Sequence, residues 1–85
     1  MTLVPTLTTL DTLKAGQSAT VIHLAPGVQG SVDVPRRLME LGFVPGERIR
    51  MLKRGLPGGP VAVKVGESTF ALRKFEAALV SIQPE

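Results

Sequence analysis

His23 is the only histidine in the chain, and there is no cysteine. The three His and Cys ligands that usually hold a catalytic zinc are therefore not available. His23 with a neighbouring carboxylate is a weak candidate for a divalent cation, for instance across a contact between copies. The commoner state of a strand histidine is satisfied or solvent-facing, and no cofactor is expected. For nucleophilic catalysis the chain has serines, threonines and five glutamates, but no thiol and no tyrosine. A Ser-His-Asp arrangement is defined in space and not by chain order, yet no local motif surrounds His23 with partners. A phosphate-cradling GxxxxGK[ST] is missing too. Gly58 and Gly59 lie in LPGGP, whose prolines bring no N–H to a phosphate. The chain reads as a non-enzyme, and any nucleotide belongs to a partner.

Cations offer more. Arg48, Arg50, Lys64 and Arg73 fall at outward positions of three expected strands, with Lys53, Arg54 and Lys74 nearby. If those strands are neighbours, they form a basic face able to dock on an acidic surface and to speed association by steering. The alternative is an ordinary solvated exterior with Glu47 and Glu67 interspersed. A second candidate surface combines Met39, Phe43 and Leu56 with Arg36 and Arg37 on the rim, the alternative being core packing of the apolar three. With no Trp, no Tyr and three Phe, the chain lacks the aromatic groove of a proline-rich peptide reader. The same shortage argues against single-stranded nucleic acid, whose bases stack on exposed rings.

The elements that position these residues are readable from Arg36-Arg37-Leu38-Met39-Glu40-Leu41-Gly42-Phe43-Val44-Pro45-Gly46-Glu47-Arg48-Ile49. Val34, Leu38 and Leu41 share one helical face, and Pro35 suits a first turn, where its missing N–H has no partner to lose. The start lies at Asp33 or Val34, with Asp33 or Ser31 able to cap. Gly42 stands where a left-handed residue ends a helix, and Phe43 occupies the position that folds back on the last turn. Val44-Pro45-Gly46 orders Pro and Gly as a type II turn requires. A strand over Glu47–Lys53 follows, with Ile49 and Met51 inward.

Elsewhere the chain reads as short strands separated by Gly and Pro. Met1–Thr8 is a tail, an edge strand or an extra interaction strand. Thr9 can cap a single turn over Leu10–Leu13, whose leucines plug one end of a barrel. Ser18–Ala25 is a strand of ambiguous inward face, and Pro26, Gly27 and Gly30 lead to the helix. Val61, Val63 and Val65 point inward from the next strand, and Gly66-Glu67 closes a type II′ hairpin. Phe70 and Leu72 enter the core, Lys74–Ala77 is one tight turn, and Ala78–Ile82 is the last strand. The expected fold is mainly β: a small, partly open barrel of about five strands with one short inserted helix, SH3-like or OB-like. At 85 residues, 44% hydrophobic and 20% charged, residues 1–85 read as one globular domain. No apolar run is long enough to span a bilayer, no signal peptide is evident, and the lack of cysteine suits the cytosol. A net charge of +3 favours acidic protein, anionic lipid or nucleic acid as partner.

Three stretches together resemble a known family. RRLMELGFVPGERI, then PVAVKV at hairpin spacing, then FALRKFEAALVSI resemble the FeoA family over about Ala15 to Ile82. Arg36, Leu38, Leu41, Gly42, Pro45, Gly46, Ala71, Leu72, Arg73, Glu76 and Ala77 fit its pattern. Gly59 departs from it, since family members often carry an acidic residue before the second proline of that loop. The resemblance implies an SH3-like barrel, and a cytoplasmic accessory protein that binds the cytosolic GTPase region of a membrane ferrous-iron permease without entering the membrane. Two other readings remain from the residues: a basic barrel that binds nucleic acid, and a regulatory barrel like those of metal-dependent repressors, which would need a helix-turn-helix domain. A homodimer through an unpaired strand edge, or through Met39 and Leu56, is a further expectation.

Overall fold

A turn of helix followed by an abrupt reversal sets the middle of the fold. Helix α1 spans Asp33–Leu41. Gly42 has φ +114°, its N–H donates to the Met39 carbonyl, and the Phe43 N–H donates to the Leu38 carbonyl, both at 3.0 Å. This is the Schellman pairing, and it satisfies two carbonyls that the helix end would otherwise leave open. Phe43 then folds back into the core with none of its surface exposed. Its ring meets Phe70 at a centroid distance of 6.3 Å and a tilt of 55°, an arrangement worth about 0.5–1.5 kcal/mol beyond burial. The Glu47 N–H closes the next turn on the Val44 carbonyl at 3.0 Å. Gly46 at φ +92° supplies the positive φ that a type II turn needs after Pro45.

The computed structural model describes residues 8–25, 33–55 and 57–85. Besides α1, the elements are β1 (Thr8–Thr9), a 3₁₀ turn (Leu10–Thr12), β2 (Ser18–Leu24), β3 (Arg48–Arg54), β4 (Val61–Val65), β5 (Ser68–Leu72), α2 (Lys74–Ala77) and β6 (Val80–Pro84). The six strands form one sheet in the order β1-β6-β2-β3-β4-β5, with every neighbouring pair antiparallel. One core collects Leu10 and Leu13, Ala19 and Val21 of β2, Leu38, Phe43, Ile49 and Met51 of β3, the three valines of β4, Leu72, Ala77, Val80 and Ile82. Val34, Leu41 and Phe70 pack against it partly exposed. Among the described residues no helix is long and apolar enough to cross a membrane.

Several boundaries differ from expectation for local reasons. Among the described residues there are six strands and not about five, because Thr8 and Thr9 pair with Ile82 and Ser81 of β6; the rest of the expected N-terminal tail lies outside the described residues. The Thr9 hydroxyl donates to the Asp11 carboxylate and does not cap a backbone N–H, while the Thr12 hydroxyl donates to the Thr9 carbonyl at 2.7 Å. The last strand starts at Val80 and not Ala78, because Ala78 is the C-cap of α2 and the Leu79 N–H is held by the Glu76 carbonyl at 3.1 Å. The first strand of the helix-flanking pair ends at Leu24 and not Ala25, and the second runs over Arg48–Arg54 and not Glu47–Lys53. Pro26, Gly27, Gly30 and Ser31 lie outside the described residues.

Glu76 is buried in the first turn of α2. Its Oε1 accepts the Arg73 N–H at 2.8 Å, which is half of a capping box, and Oε2 lies 3.9 Å from Arg37 Nη1. One carboxylate thus ties α2 to its own start and to α1.

Two stability predictions follow from these contacts. A Cβ at residue 42 would stand 3.0 Å from Val65 Cγ1 on a backbone at φ +114°. Gly42→Ala is expected to lower unfolding free energy by about 1–2 kcal/mol in denaturant titration, and an unchanged midpoint would mean that the helix stop does not depend on this conformation. Glu76→Ala is expected to lose about 1 kcal/mol, and Glu76→Gln clearly less because its amide oxygen still accepts the Arg73 N–H; equal losses would assign the effect to charge instead of the cap.

Candidate docking surface

Alternation along β3 puts Ile49 and Met51 in the core and Arg48 and Arg50 on the outer face. Register then fixes their neighbours: Arg50 lies opposite Lys64 of β4 and Ser18 of β2, and Arg48 lies opposite Thr20. Arg48 grips the Glu85 carboxylate with two bonds, Nε to Oε2 at 2.7 Å and Nη2 to Oε1 at 3.0 Å. That hydrogen bonding, with the charge of Glu85, raises the guanidinium above its ordinary pKa. Its charge is matched within the protein. Arg50 and Lys64, by contrast, are exposed side by side and have no carboxylate within ion-pair distance among the described residues. They border an open depression of about 350 Å³ lined also by Ser18, Glu47, Arg48 and Gly66.

Arg73 does not join them. Lys64 pairs with Thr69 in β5, whereas Arg73 follows the end of that strand. Four residues along a strand at about 3.3 Å each separate the two positions by roughly 13 Å. Arg73 instead borders a second groove of about 510 Å³ with Gly58, Pro60, Ala71, Lys74 and Phe75. The expected four-cation face is therefore two patches, bridged on the outer sheet by Lys53 opposite Ala62 and by Ala62 opposite Ala71. Arg54 keeps its charge but is fixed in place: its Nη1 donates to the Asp11 and Leu13 carbonyls at 2.6 and 2.8 Å, clamping the 3₁₀ turn to β3.

The helix patch is also reduced. Phe43, expected as a contact residue, is core, since the Schellman reversal drives its ring inward. Leu56 lies outside the described residues. Met39 is 50% exposed, with Arg36 facing Glu40 at 3.9 Å on the solvent side and Arg37 reaching Glu76. Leu38 is buried and Leu41, Gly42, Pro45, Gly46 and Leu72 shape the chain reversal and core around it.

Three exposed apolar side chains went unnoticed in the sequence: Phe75 (54% exposed), Ile22 and Leu52. Ile22 and Leu52 sit at the two places where pairing slips, between Val21 and His23 against β6 and between Met51 and Lys53 against β4. Each is the extra residue of a bulge, which turns one side chain out of the alternation. No glycine marks either site. Phe75 was legible in principle: once Glu76 caps α2 and Ala77 packs, the position before them faces out.

His23 is exposed on β2. Among the described residues no three His, Asp or Glu side chains converge on a point that could hold a metal, so the residues present do not fit a resident zinc.

Residues 8–84 match the model of the FeoA domain. None of the curated proteins matches the chain. The structure is similar to FeoA of Stenotrophomonas maltophilia, an SH3-domain protein crystallised with zinc, at 40% identity over 89% of each chain and a TM-score of 0.80. It is similar to FeoA of Chlorobium tepidum at 31% identity over 91% of this chain and 70% of that one, TM-score 0.78. A manganese-dependent transcriptional repressor shares the fold alone, at 21% identity over 96% of this chain and 45% of that one, TM-score 0.79. The six-stranded sheet with its inserted helix is thus the SH3-like fold, and the chain belongs to the FeoA family, the non-enzymatic accessory proteins of ferrous iron transport.

Proposed function

We propose that this protein is a cytoplasmic regulator of ferrous iron transport that acts by binding the cytosolic GTPase region of a membrane iron permease, changing transport or GTP turnover through contact. The observation that carries the reading is the Arg50–Lys64 pair, two adjacent exposed cations without a carboxylate partner among the described residues, which also bring together no metal donor set. Unmatched charge on an outer sheet face attracts an acidic partner and raises the rate of encounter. Arg48 is held by Glu85 and frames the patch; Arg73 lies too far away to share the same contact. Met39, beside the solvent-facing Arg36, offers a separate apolar contact on α1.

The test is a titration of the protein against the purified GTPase region from the same organism, without nucleotide, with GDP and with a non-hydrolysable GTP analogue. Saturable one-site binding is expected, weakening as salt rises. The Arg50→Glu/Lys64→Glu variant is expected to bind at least about tenfold more weakly while its melting temperature stays within about 2 °C, since both side chains are at the surface. Unchanged affinity in that variant would discard the patch. Binding to DNA of any sequence with equal affinity, and none to the GTPase region, would overturn the function.

A further inference from the structure

β5 is the last strand of the sheet, so one of its edges faces away from β4. Its ladder with β4 runs without a slip from Val65↔Ser68 to Val61↔Leu72. Because Val65 and Ser68 close a two-residue loop, they form a hydrogen-bonded pair, and the alternation gives Ser68, Phe70 and Leu72 to β4. Thr69 and Ala71 therefore turn their N–H and C=O groups to the open edge. No group among the described residues bonds to them, and both residues are exposed. Sheet edges are ordinarily protected by a charge, a proline, a bulge or a covering segment. Ser68-Thr69-Phe70-Ala71-Leu72 has no charge, no proline and no bulge.

We infer that this edge pairs with the β5 edge of a second copy of the chain, antiparallel about a two-fold axis at Phe70. The register is dictated by chemistry. Only residues whose polar groups point outward can exchange bonds, so Thr69 and Ala71 must face Thr69 or Ala71 of the other copy. With Thr69 opposite Ala71, the two positions at the ends of the strand, Glu67 and Arg73, fall opposite each other twice, joining a carboxylate to a guanidinium on each side of the axis. Both are exposed, and neither has an ion-pair partner among the described residues. Sliding the pairing by two residues in either direction keeps one bonded pair, Ala71 with Ala71 or Thr69 with Thr69, where the proposed register has two. It also sets Arg73 against Thr69, or Glu67 against Ala71, so that both charges lose their partners. The axis position also brings the half-exposed Phe70 against its own copy on the core side of the sheet, where aromatic cross-strand pairs stabilise. Small side chains at Thr69 and Ala71 leave the outer face free of obstruction. A self-complementary patch of this kind is what a two-fold interface requires.

This inference does not rest on the docking reading, and either can fail in experiment while the other holds. Sedimentation equilibrium of the purified full chain from about 10 µM to about 1 mM is expected to show a reversible monomer–dimer equilibrium. Arg73→Glu and Glu67→Arg, each of which sets like charges in opposition at two places, are expected to weaken the dimer about tenfold. The double variant Glu67→Arg/Arg73→Glu restores opposite charges and is expected to return the dimer to within about threefold of the original. Ala71→Pro removes an outward N–H that the monomer does not use, and is expected to abolish the dimer while leaving thermal melting cooperative. A monomer across the whole concentration range would overturn the inference and leave the edge to a strand from another protein. A dimer indifferent to Ala71→Pro, or a double variant no better than the single ones, would overturn it as well.

Discussion

Phe43 has to enter the core immediately after a helix whose own axis would carry it away, and the route from Asp33 to Arg54 is shaped by that requirement. A right-handed continuation through residue 42 would extend α1 and hold the ring at the surface. The positive φ at Gly42 reverses the chain within one residue, and the two bonds to Leu38 and Met39 keep the reversal without stranded carbonyls. Pro45 and Gly46 then reverse it again, so that Ile49 and Met51 arrive on the core side of β3. Because a strand has a period of two, a one-residue error in that turn would bury Arg48 and Arg50 and expose Ile49 and Met51. The basic patch is a geometric consequence of where Phe43 goes. Even the space for the reversal is shared, as Val65 of β4 lies against Gly42.

The features that depend on local chemistry were legible from residue types alone: the helix stop, the type II turn, the Gly66-Glu67 hairpin and the valine face of β4. Each is a decision made by Gly, Pro or alternation within a few residues. What was not legible depends on partners distant in sequence. Nothing near Thr8 says that it pairs with Ile82, and nothing near Ile22 or Leu52 marks a bulge, because a bulge is a mismatch between two strands and belongs to neither. In the sequence Phe43 stands open between two readings, a contact beside two arginines and a ring folded back on the last turn, and the cap geometry decides for the second.

The candidate site divides in the same way. Outward positions of Arg48, Arg50 and Lys64 follow from alternation, and they are where alternation puts them. Their electrostatic condition does not follow, since it turns on whether a carboxylate from elsewhere reaches them. Glu85, at the far end of the chain from Arg48, does so with two bonds, and Arg54 spends its donors on two backbone carbonyls of the 3₁₀ turn. Of the seven cations in three neighbouring strands and their flanks, only Arg48 is matched by a carboxylate among the described residues, and Arg54 is pinned to the 3₁₀ turn with its charge intact. That leaves Arg50 and Lys64 as an adjacent pair, Lys53 between the patches, and a second group at Arg73 and Lys74. Counting charges on a sheet overstates the field it projects, because each internal pair cancels most of its own contribution beyond a Debye length.

The β5 edge gives that small patch a larger meaning. A two-fold axis perpendicular to the sheet at Phe70 keeps both outer faces on one side, so the Arg50–Lys64 pairs of two copies would look in the same direction. Three strand spacings of about 4.8 Å and an offset of two residues place the two Lys64 positions roughly 16 Å apart. That is about two Debye lengths at physiological salt, far enough for each patch to act as a separate point of attraction and near enough for one acidic protein surface to touch both. Binding at one patch would then raise the effective concentration for the other. A weak self-association would therefore couple to docking: a partner that engages both patches stabilises the pairing of β5 with β5, and the pairing strengthens the hold on the partner by the same factor. A permease presenting a single acidic site would feel only one copy, whereas a surface with two such sites would select the dimer.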